Sequence, residues 1–357
     1  MCGQIVGLRT AQLIDAEAPE RDHDRRQRVA FLGQQVLRPQ RLLAVDDACD
    51  YSVLFERAEP PREQVRRDRA ERALEVAIAR DPAQQVADDQ ERPAVADGIE
   101  RRFYGGRAFL LDEHLRRLAD SARALALELP LDAGGFAALC AEAIERTGLA
   151  DGYLRLVVTR GQGALGVSPH TCARPTVVLI AAPLALYPAE AYRDGLVLVT
   201  SSLRRASPDS LPPQVKSLNY LTSVLASVEA RRQGADEAII LNAQGHVAEC
   251  TADNLIVVRD GALRTPTRSG GALAGITRGL VMRLARSQGI PAEEAQLTPS
   301  DVWTADELFL TGTGAEVVPV RLVDGRALPA ARPVTESLIA AFRAYIDEHA
   351  RAPMLRA

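Results

Sequence analysis

The sequence predicts an α+β protein built from two unlike domains. Strand-like runs occur in clusters broken by single amphipathic helices, which is not the regular alternation of a doubly wound parallel sheet. A connection with two prolines, PLALYPAEAYRDG (183–195), separates two such clusters and suits a domain boundary. A chain of 357 residues is also long enough for two domains. The expected division is a small α+β domain over 98–187 and a larger α/β domain over 188–357, both preceded by an atypical segment.

That segment, residues 1–97, carries charge runs such as RDHDRRQR and PPREQVRRDRAER with little apolar periodicity. Its composition reads as a disordered or misread N-terminal stretch, with a genuine extra domain as the alternative. Short patches within it, RVAFLGQQVL and ERALEVAIA, are compatible with helix or strand.

From about residue 102 the elements follow in order. RRFYGGRAFLLDEHLRRLADSARAL reads as a strand, a Gly-Gly turn, a short strand and a helix. The helix starts near 112, repeats Leu115, Leu118 and Ala122 on one face, and has Asp112 in place to cap it. GFAALCAEAIERTG is a second amphipathic helix that ends at Gly148, with Cys140 in its apolar stretch. Strands follow at 153–161, 174–184 and 195–205. LNYLTSVLASVEARRQG predicts a helix closed by Gly234. Short strands then run to residue 266, with turns at Gln244-Gly245 and Asp260-Gly261. GITRGLVMRLARSQGI is a helix with Ile276, Leu280, Val281 and Leu284 on its apolar face. DELFLTGTGAEVVPVRLVDGR reads as strand, turn and strand, and VTESLIAAFRAYIDEHA as a closing helix.

Composition narrows the function. With 47% hydrophobic and 25% charged residues and a net charge of −4, the chain is that of a soluble globular protein, with no electrostatic case for nucleic acid or acidic membrane as partner. No apolar run approaches the roughly 20 residues of a membrane span, and the first residues do not read as an export signal. The five cysteines lack metal-ligand spacing and fit reduced thiols in the cytoplasm.

Lys216, in PPQVKSLNYL, is the only lysine; the other 42 basic side chains counted with it are arginine. Any role that guanidinium can fill is filled by guanidinium here. Lysine differs in that its amine can lose a proton and act as nucleophile or base. A lysine amine that condenses with a carbonyl cofactor is one established use, and pyridoxal phosphate is the common such cofactor. It needs an acid opposite the ring nitrogen, donors for its phosphate and a place for the substrate carboxylate. Glu249, in GHVAECTADNLIVV, is a candidate for the first. Gly275, Ile276 and Thr277 open a helix, whose bare amides and positive end suit an anion. LTGTGAEVVPV adds Thr311, Thr313 and the amides of Gly314 and Ala315. Taken singly, these features also read as a strand glutamate, a plain helix start and a tight strand connection.

Taken jointly, they resemble the fold-type IV pyridoxal-phosphate aminotransferases, particularly the branched-chain amino acid aminotransferases. The resemblance runs from about residue 102 to 345 through FYGGRAFLLDEHLRRLADSA, YLRLVVTRGQGALGVSP, VKSLNYLTSVLASVEARRQGADEAIILNAQGHVAECTADNLIVV, TPTRSGGALAGITRGLV and ADELFLTGTGAEVVPVRLVDGR. It implies a small α/β domain beside a larger strand-rich pseudo-barrel. It also implies pyridoxal 5'-phosphate as cofactor, transamination of leucine, isoleucine and valine with 2-oxoglutarate, and a homodimer or higher homo-oligomer. Carried over by position, Lys216 would form the Schiff base and move the proton, and Glu249 would face the ring nitrogen. Tyr220, four residues after the lysine and so on the same helical side, would contact the cofactor's phenolic oxygen. Arg117, Ile276, Thr277 and Thr313 would hold the phosphate. Tyr153, Gly314 and Ala315 would take the substrate carboxylate, with Arg155 lining the site nearby. The chain departs from the family where a pattern like YGDGVFEGIR is usual: here it reads AVADGIERRFYGGR, without the aromatic residues that wall the substrate pocket. D-amino acid aminotransferases and aminodeoxychorismate lyases share the lysine and glutamate and remain alternatives, as does a non-catalytic cofactor-binding homologue.

Overall fold

The computed structural model describes residues 102–351 other than 166, 167 and 173, and before them the backbone of three strand stretches. The first sheet is formed by β1 (Val53–Leu54), β2 (Leu74–Ile78), β3 (Asp97–Tyr104), β4 (Arg107–Ala108), β5 (Gly152–Thr159) and β6 (Thr176–Ala182), in the order β1-β2-β6-β5-β3-β4. Only the β2–β6 pair is parallel. β2 comes from the LEVAI of the early ERALEVAIA patch, so this sheet draws on residues before 98. The disordered, misread and extra-domain readings concern residues that otherwise lie outside those described.

Two helices, α1 (Leu111–Ala124) and α2 (Ala133–Thr147), cover one face of this sheet. Phe103, Leu154, Leu156, Val158, Leu179 and Ala181 pack there against Leu115, Leu118, Ala122, Phe136, Cys140 and Ile144. Because strand side chains alternate, Arg102, Tyr104, Tyr153 and Arg155 are left on the other face. Asp112 does not cap α1. The cap position is Leu110, buried and at φ 51 with no side-chain cap bond, and Asp112 lies in the first turn, where its charge suits the positive helix end. Anchoring explains this entry: the preceding Phe109 ring makes edge-on contacts with Tyr104, Phe342, Tyr345 and His349.

The second sheet is larger. After a short helix α3 (Ala189–Asp194), inside the connection read as a linker, come β7 (Leu196–Arg204), α4 (Leu221–Arg232), β8 (Glu237–Leu241), β9 (Val247–Cys250), β10 (Asn254–Arg259) and β11 (Ala262–Pro266). They are followed by α5 (Ile276–Ser287), β12 (Ala292–Ala295), α6 (Pro299–Trp303), β13 (Glu307–Gly312), β14 (Glu316–Val323), β15 (Arg326–Ala327) and α7 (Pro333–Arg351). The strand order is β12-β11-β10-β13-β14-β7-β8-β9, with β15 on β14. β9 comes round to lie against β10 and β11, so the sheet curls on itself as the pseudo-barrel expectation requires. Leu198, Ile239, Leu255, Val257, Leu310 and Val318 fill its interior. α5 and α7 cover its outside through Leu280, Val281, Leu338 and Phe342 against Ile256, Val258 and Phe309. α4 packs through small residues, with Ala226 and Ala230 against Ala238 and Ile240, and leaves Leu221, Val224, Leu225 and Val228 exposed.

Candidate active site

Lys216 lies in the irregular segment between β7 and α4. The segment is tied down on two sides. Gln214 Nε2 donates to the carbonyls of Ala272 (2.8 Å) and Arg268 (3.2 Å), and the Lys216 amide donates to Ser121 Oγ on α1 at 3.3 Å. Lys216 Nζ donates to the Tyr220 hydroxyl at 3.0 Å. Sequence spacing placed both residues on one helical side, but α4 starts only at Leu221, with Tyr220 as its cap. The two meet through the shape of a non-helical loop.

Glu249 is buried on β9. Its Oε1 is 2.5 Å from Arg205 Nη2, and its Oε2 accepts from the Leu273 amide (2.8 Å) and Asn254 Nδ2 (3.1 Å). Burial holds this carboxyl above the usual glutamate range, against the opposing pull of Arg205, the Leu273 N–H, Lys216 and Arg278. A carboxylate offers about four lone-pair positions. Three are taken by these partners, which among the described residues leaves room for one further donor.

From Glu249 the contacts run outward. Asn254 also donates to the Leu273 carbonyl at 3.0 Å, and it sits against Gly275, the cap of α5. α5 begins without a side-chain cap bond, with Thr277 buried and Ile276 half-buried in its first turn. Its early amides are therefore not served by a capping side chain, the condition in which a helix start receives an anion. The adjoining Arg278 points its donors at Thr265 Oγ1, the Pro266 carbonyl and Glu294, and so supports β11 and β12. A Cβ on Gly275 would lie 1.9 Å from Asn254 Oδ1. Gly275→Ala is therefore expected to push Asn254 off Glu249 and to cost about 1–3 kcal/mol, as overpacking does. Thermal unfolding of the variant checks this, and a melting temperature equal to the parent's would contradict it.

Across the β10–β13 ladder, Asn254 pairs with Thr311. Thr311 is fully buried, and its Oγ1 has no hydrogen-bond partner among the described residues. Beyond it, Thr313, Gly314 and Ala315 form the turn into β14, with Thr313 half-buried and Ala315 fully buried. Asp253 underlies this turn beside Gly312 and accepts from the Tyr187 hydroxyl at 3.1 Å.

The first sheet reaches the same turn. Arg102 stands opposite Tyr153 in the β3–β5 register, and Arg155 lies two residues further along the same face. Arg102 Nη2 donates to the Gly314 carbonyl at 2.6 Å. Arg117 is half-buried on α1, one turn before Ser121 and so on the helix face that meets the lysine segment. Its Nη2 lies 3.5 Å from His114 Nδ1. Lys216, Tyr220 and Glu249 are thus linked through short chains of contact to the α5 start and the 313–315 turn. The four residues expected around a phosphate stand on three separate elements: Arg117 on α1, Ile276 and Thr277 on α5, and Thr313 in the turn into β14. Sequence reasoning missed Arg102, Arg205 and Asn254. As two of many arginines and an ordinary strand asparagine, they carry no signal until tertiary contacts define them.

Comparison with known proteins gives consistent similarities. The family model of class IV amino-transferases matches residues 100–323. A putative branched-chain-amino-acid aminotransferase of Methanocaldococcus jannaschii is 46% identical over 234 residues, covering 66% of this chain and 80% of its own. The branched-chain-amino-acid aminotransferase of Escherichia coli K12 is 37% identical over 234 residues, covering 64% and 76%. Among solved structures, the E. coli branched-chain amino acid aminotransferase superposes with a TM-score of 0.69 at 34% identity, covering 71% of this chain and 86% of that one. The T.th. branched-chain amino acid aminotransferase with pyridoxamine 5'-phosphate gives 0.68 at 34% identity, covering 72% and 87%.

Proposed function

Because this chain belongs to the class IV aminotransferases, we propose that it moves the amino group of leucine, isoleucine or valine to 2-oxoglutarate, with pyridoxal 5'-phosphate as cofactor. The observation that carries this reading is the placement of the only lysine, whose Nζ is held by Tyr220 in a site where buried Glu249 keeps an acceptor position open.

The residues present fit such a cofactor. The uncapped α5 start, and the Thr311 hydroxyl and fourth Glu249 position that have no partner among the described residues, each have the chemistry to meet one of its polar groups. When bound, the cofactor supplies an aldehyde for condensation with amines and an electron-poor ring that accepts charge from the substrate's α-carbon. Lys216 Nζ would be the attachment point for that aldehyde and, once released and neutral, would take the proton from the substrate's α-carbon, hold it, and give it up to the cofactor's side of the C–N linkage. The Tyr220 hydroxyl orients that amine. Glu249 would hold a positive ring nitrogen, with Arg205 and Asn254 fixing the carboxylate in place. In this reading Arg117, Ile276, Thr277 and Thr313 hold the phosphate. Tyr153, Arg155, Gly314 and Ala315 receive the substrate carboxylate, and the working assembly is a homodimer or higher homo-oligomer.

The test is direct. The purified protein with added cofactor should form glutamate from 2-oxoglutarate and each of the three amino acids, with parallel-line (ping-pong) kinetics. Borohydride reduction should place the pyridoxyl label on Lys216. A labelled protein that makes no glutamate from any of the three would overturn the proposal, and D-alanine as the working donor would move it to the D-amino acid group.

A further inference from the structure

The turn between β13 and β14 is gripped from the other sheet by one side chain. Arg102 Nη2 donates to the Gly314 carbonyl at 2.6 Å, and its Nη1 lies 3.4 Å from Glu316 Oε1. The same Glu316 oxygen accepts from the Tyr104 hydroxyl at 2.7 Å. Arg102 and Glu316 side chains are only 18% and 24% exposed, so water screens this contact weakly. Glu316 has φ 61, in the left-handed region that a side-chain-bearing residue enters at a cost and keeps when its surroundings hold it there. Tyr104 and Arg102 hold its side chain, and the ladder opposite Gly312 holds its backbone.

The geometry of the peptide bond gives the grip its consequence. The Gly314 carbonyl and the Ala315 N–H belong to one planar trans unit and point in opposite directions. Fixing the carbonyl fixes the N–H. Gly314 has no side chain to restrict its torsions, so from that side this peptide plane is less constrained than an ordinary one, although buried Ala315 limits it from the other. A charged donor on the carbonyl is among the stronger restraints available.

We infer that Arg102, anchored by Glu316, is a positioning residue that aims the Ala315 amide, and through it sets the affinity of the site for a substrate carboxylate. This rests on the proposed reading that the Gly314 and Ala315 amides meet that carboxylate. Arg102 acts from behind the turn. It also makes carboxylate affinity depend on the register of β3 against the second sheet, since Arg102 is rooted in one and its acceptor in the other.

The experiment compares Arg102→Met and Arg102→Lys with the parent. Three readouts are taken on the cofactor-loaded protein: amide hydrogen exchange over residues 312–316, the dissociation constant of 4-methylvaleric acid, and KM and kcat for transamination. In Arg102→Met the exchange should speed up about tenfold or more, and KM and the dissociation constant should rise about 10- to 100-fold, the effect of losing a charged hydrogen bond. kcat and cofactor affinity should change far less. Arg102→Lys, which keeps a charged donor, should recover part of both effects. Unchanged exchange in both variants overturns the inference whatever the activity. A parallel fall in cofactor affinity and melting temperature overturns it too, since the role would then be general support. Faster exchange with an unchanged dissociation constant defeats the carboxylate reading beneath it and leaves only a structural latch.

Discussion

Lys216→Arg is expected to abolish turnover and leave the fold standing. The substitution keeps the positive charge and most of the side-chain bulk at a half-buried position, so the backbone ties to Ser121 and the Gln214 contacts are not disturbed. What disappears is an amine that can be neutral. Guanidinium does not deprotonate in this range, so it neither condenses with a carbonyl nor accepts the α-carbon proton. Loss of a positioned general base alone accounts for about 10²–10⁴ in rate, and the loss of covalent attachment adds to it. kcat should therefore fall by more than about 10⁴-fold, with circular dichroism and melting temperature near the parent's. An arginine variant retaining more than about one per cent of turnover would remove Lys216 from the chemistry.

The second large effect is expected at Glu249. Glu249→Gln keeps the shape and can still accept from Leu273 or Asn254, but it leaves Arg205 facing a neutral amide. In catalysis the variant loses the negative charge that would hold a ring nitrogen protonated, and kcat should drop by about 10²–10³-fold, the usual scale for removing one preorganised electrostatic partner. The pH dependence of the cofactor-free protein gives a separate reading. Burial raises the folded carboxyl above its unfolded value, so the folded state binds the proton more tightly. Stabilisation from this group is then fully present below the unfolded value, about 4.3, and is withdrawn as pH rises through the folded value. The stability of the parent relative to Glu249→Gln should thus decline with rising pH across that window. Denaturant titrations at several pH values measure it, and a difference that grows with pH would mean that Arg205 outweighs burial.

Much of the fold was legible because periodicity and turn chemistry agree locally. Gly148 and Gly234 follow the helices they were expected to close, and Asp260-Gly261 sits at the β10–β11 turn with both residues at positive φ. The misjudged details share a cause. Asp112 is a good cap by residue type, yet aromatic packing around Phe109 sets the entry to α1 and moves the cap to Leu110. Tyr220 meets Lys216, but a loop brings them together in place of a helix turn. The candidate site draws attention in the sequence where residue type is selective: one lysine among arginines, a Gly-Ile-Thr helix start, a small-residue turn. It is illegible where the proposed roles depend on which of many similar residues makes the contact. Arg102 and Arg205 are distinguished only by what stands opposite them once both sheets have formed.

The aromatic contacts of Phe109 also bear on how the chain closes on itself. Its partners Phe342, Tyr345 and His349 all belong to α7, the last helix described, whereas Phe109 leads into the first. Contacts so far apart in sequence are the kind that slow folding, because the loop between them has to close before they form. Without α7 in place, the ring of Phe109 keeps Tyr104 but lacks its three aromatic partners on that helix. The entry to α1, and through it the Ser121 contact that steadies the lysine segment, then lack their outer support. Docking of α7 therefore completes the packing behind the helix that carries Arg117 and Ser121, so a change on α7 far from the site can loosen the lysine segment.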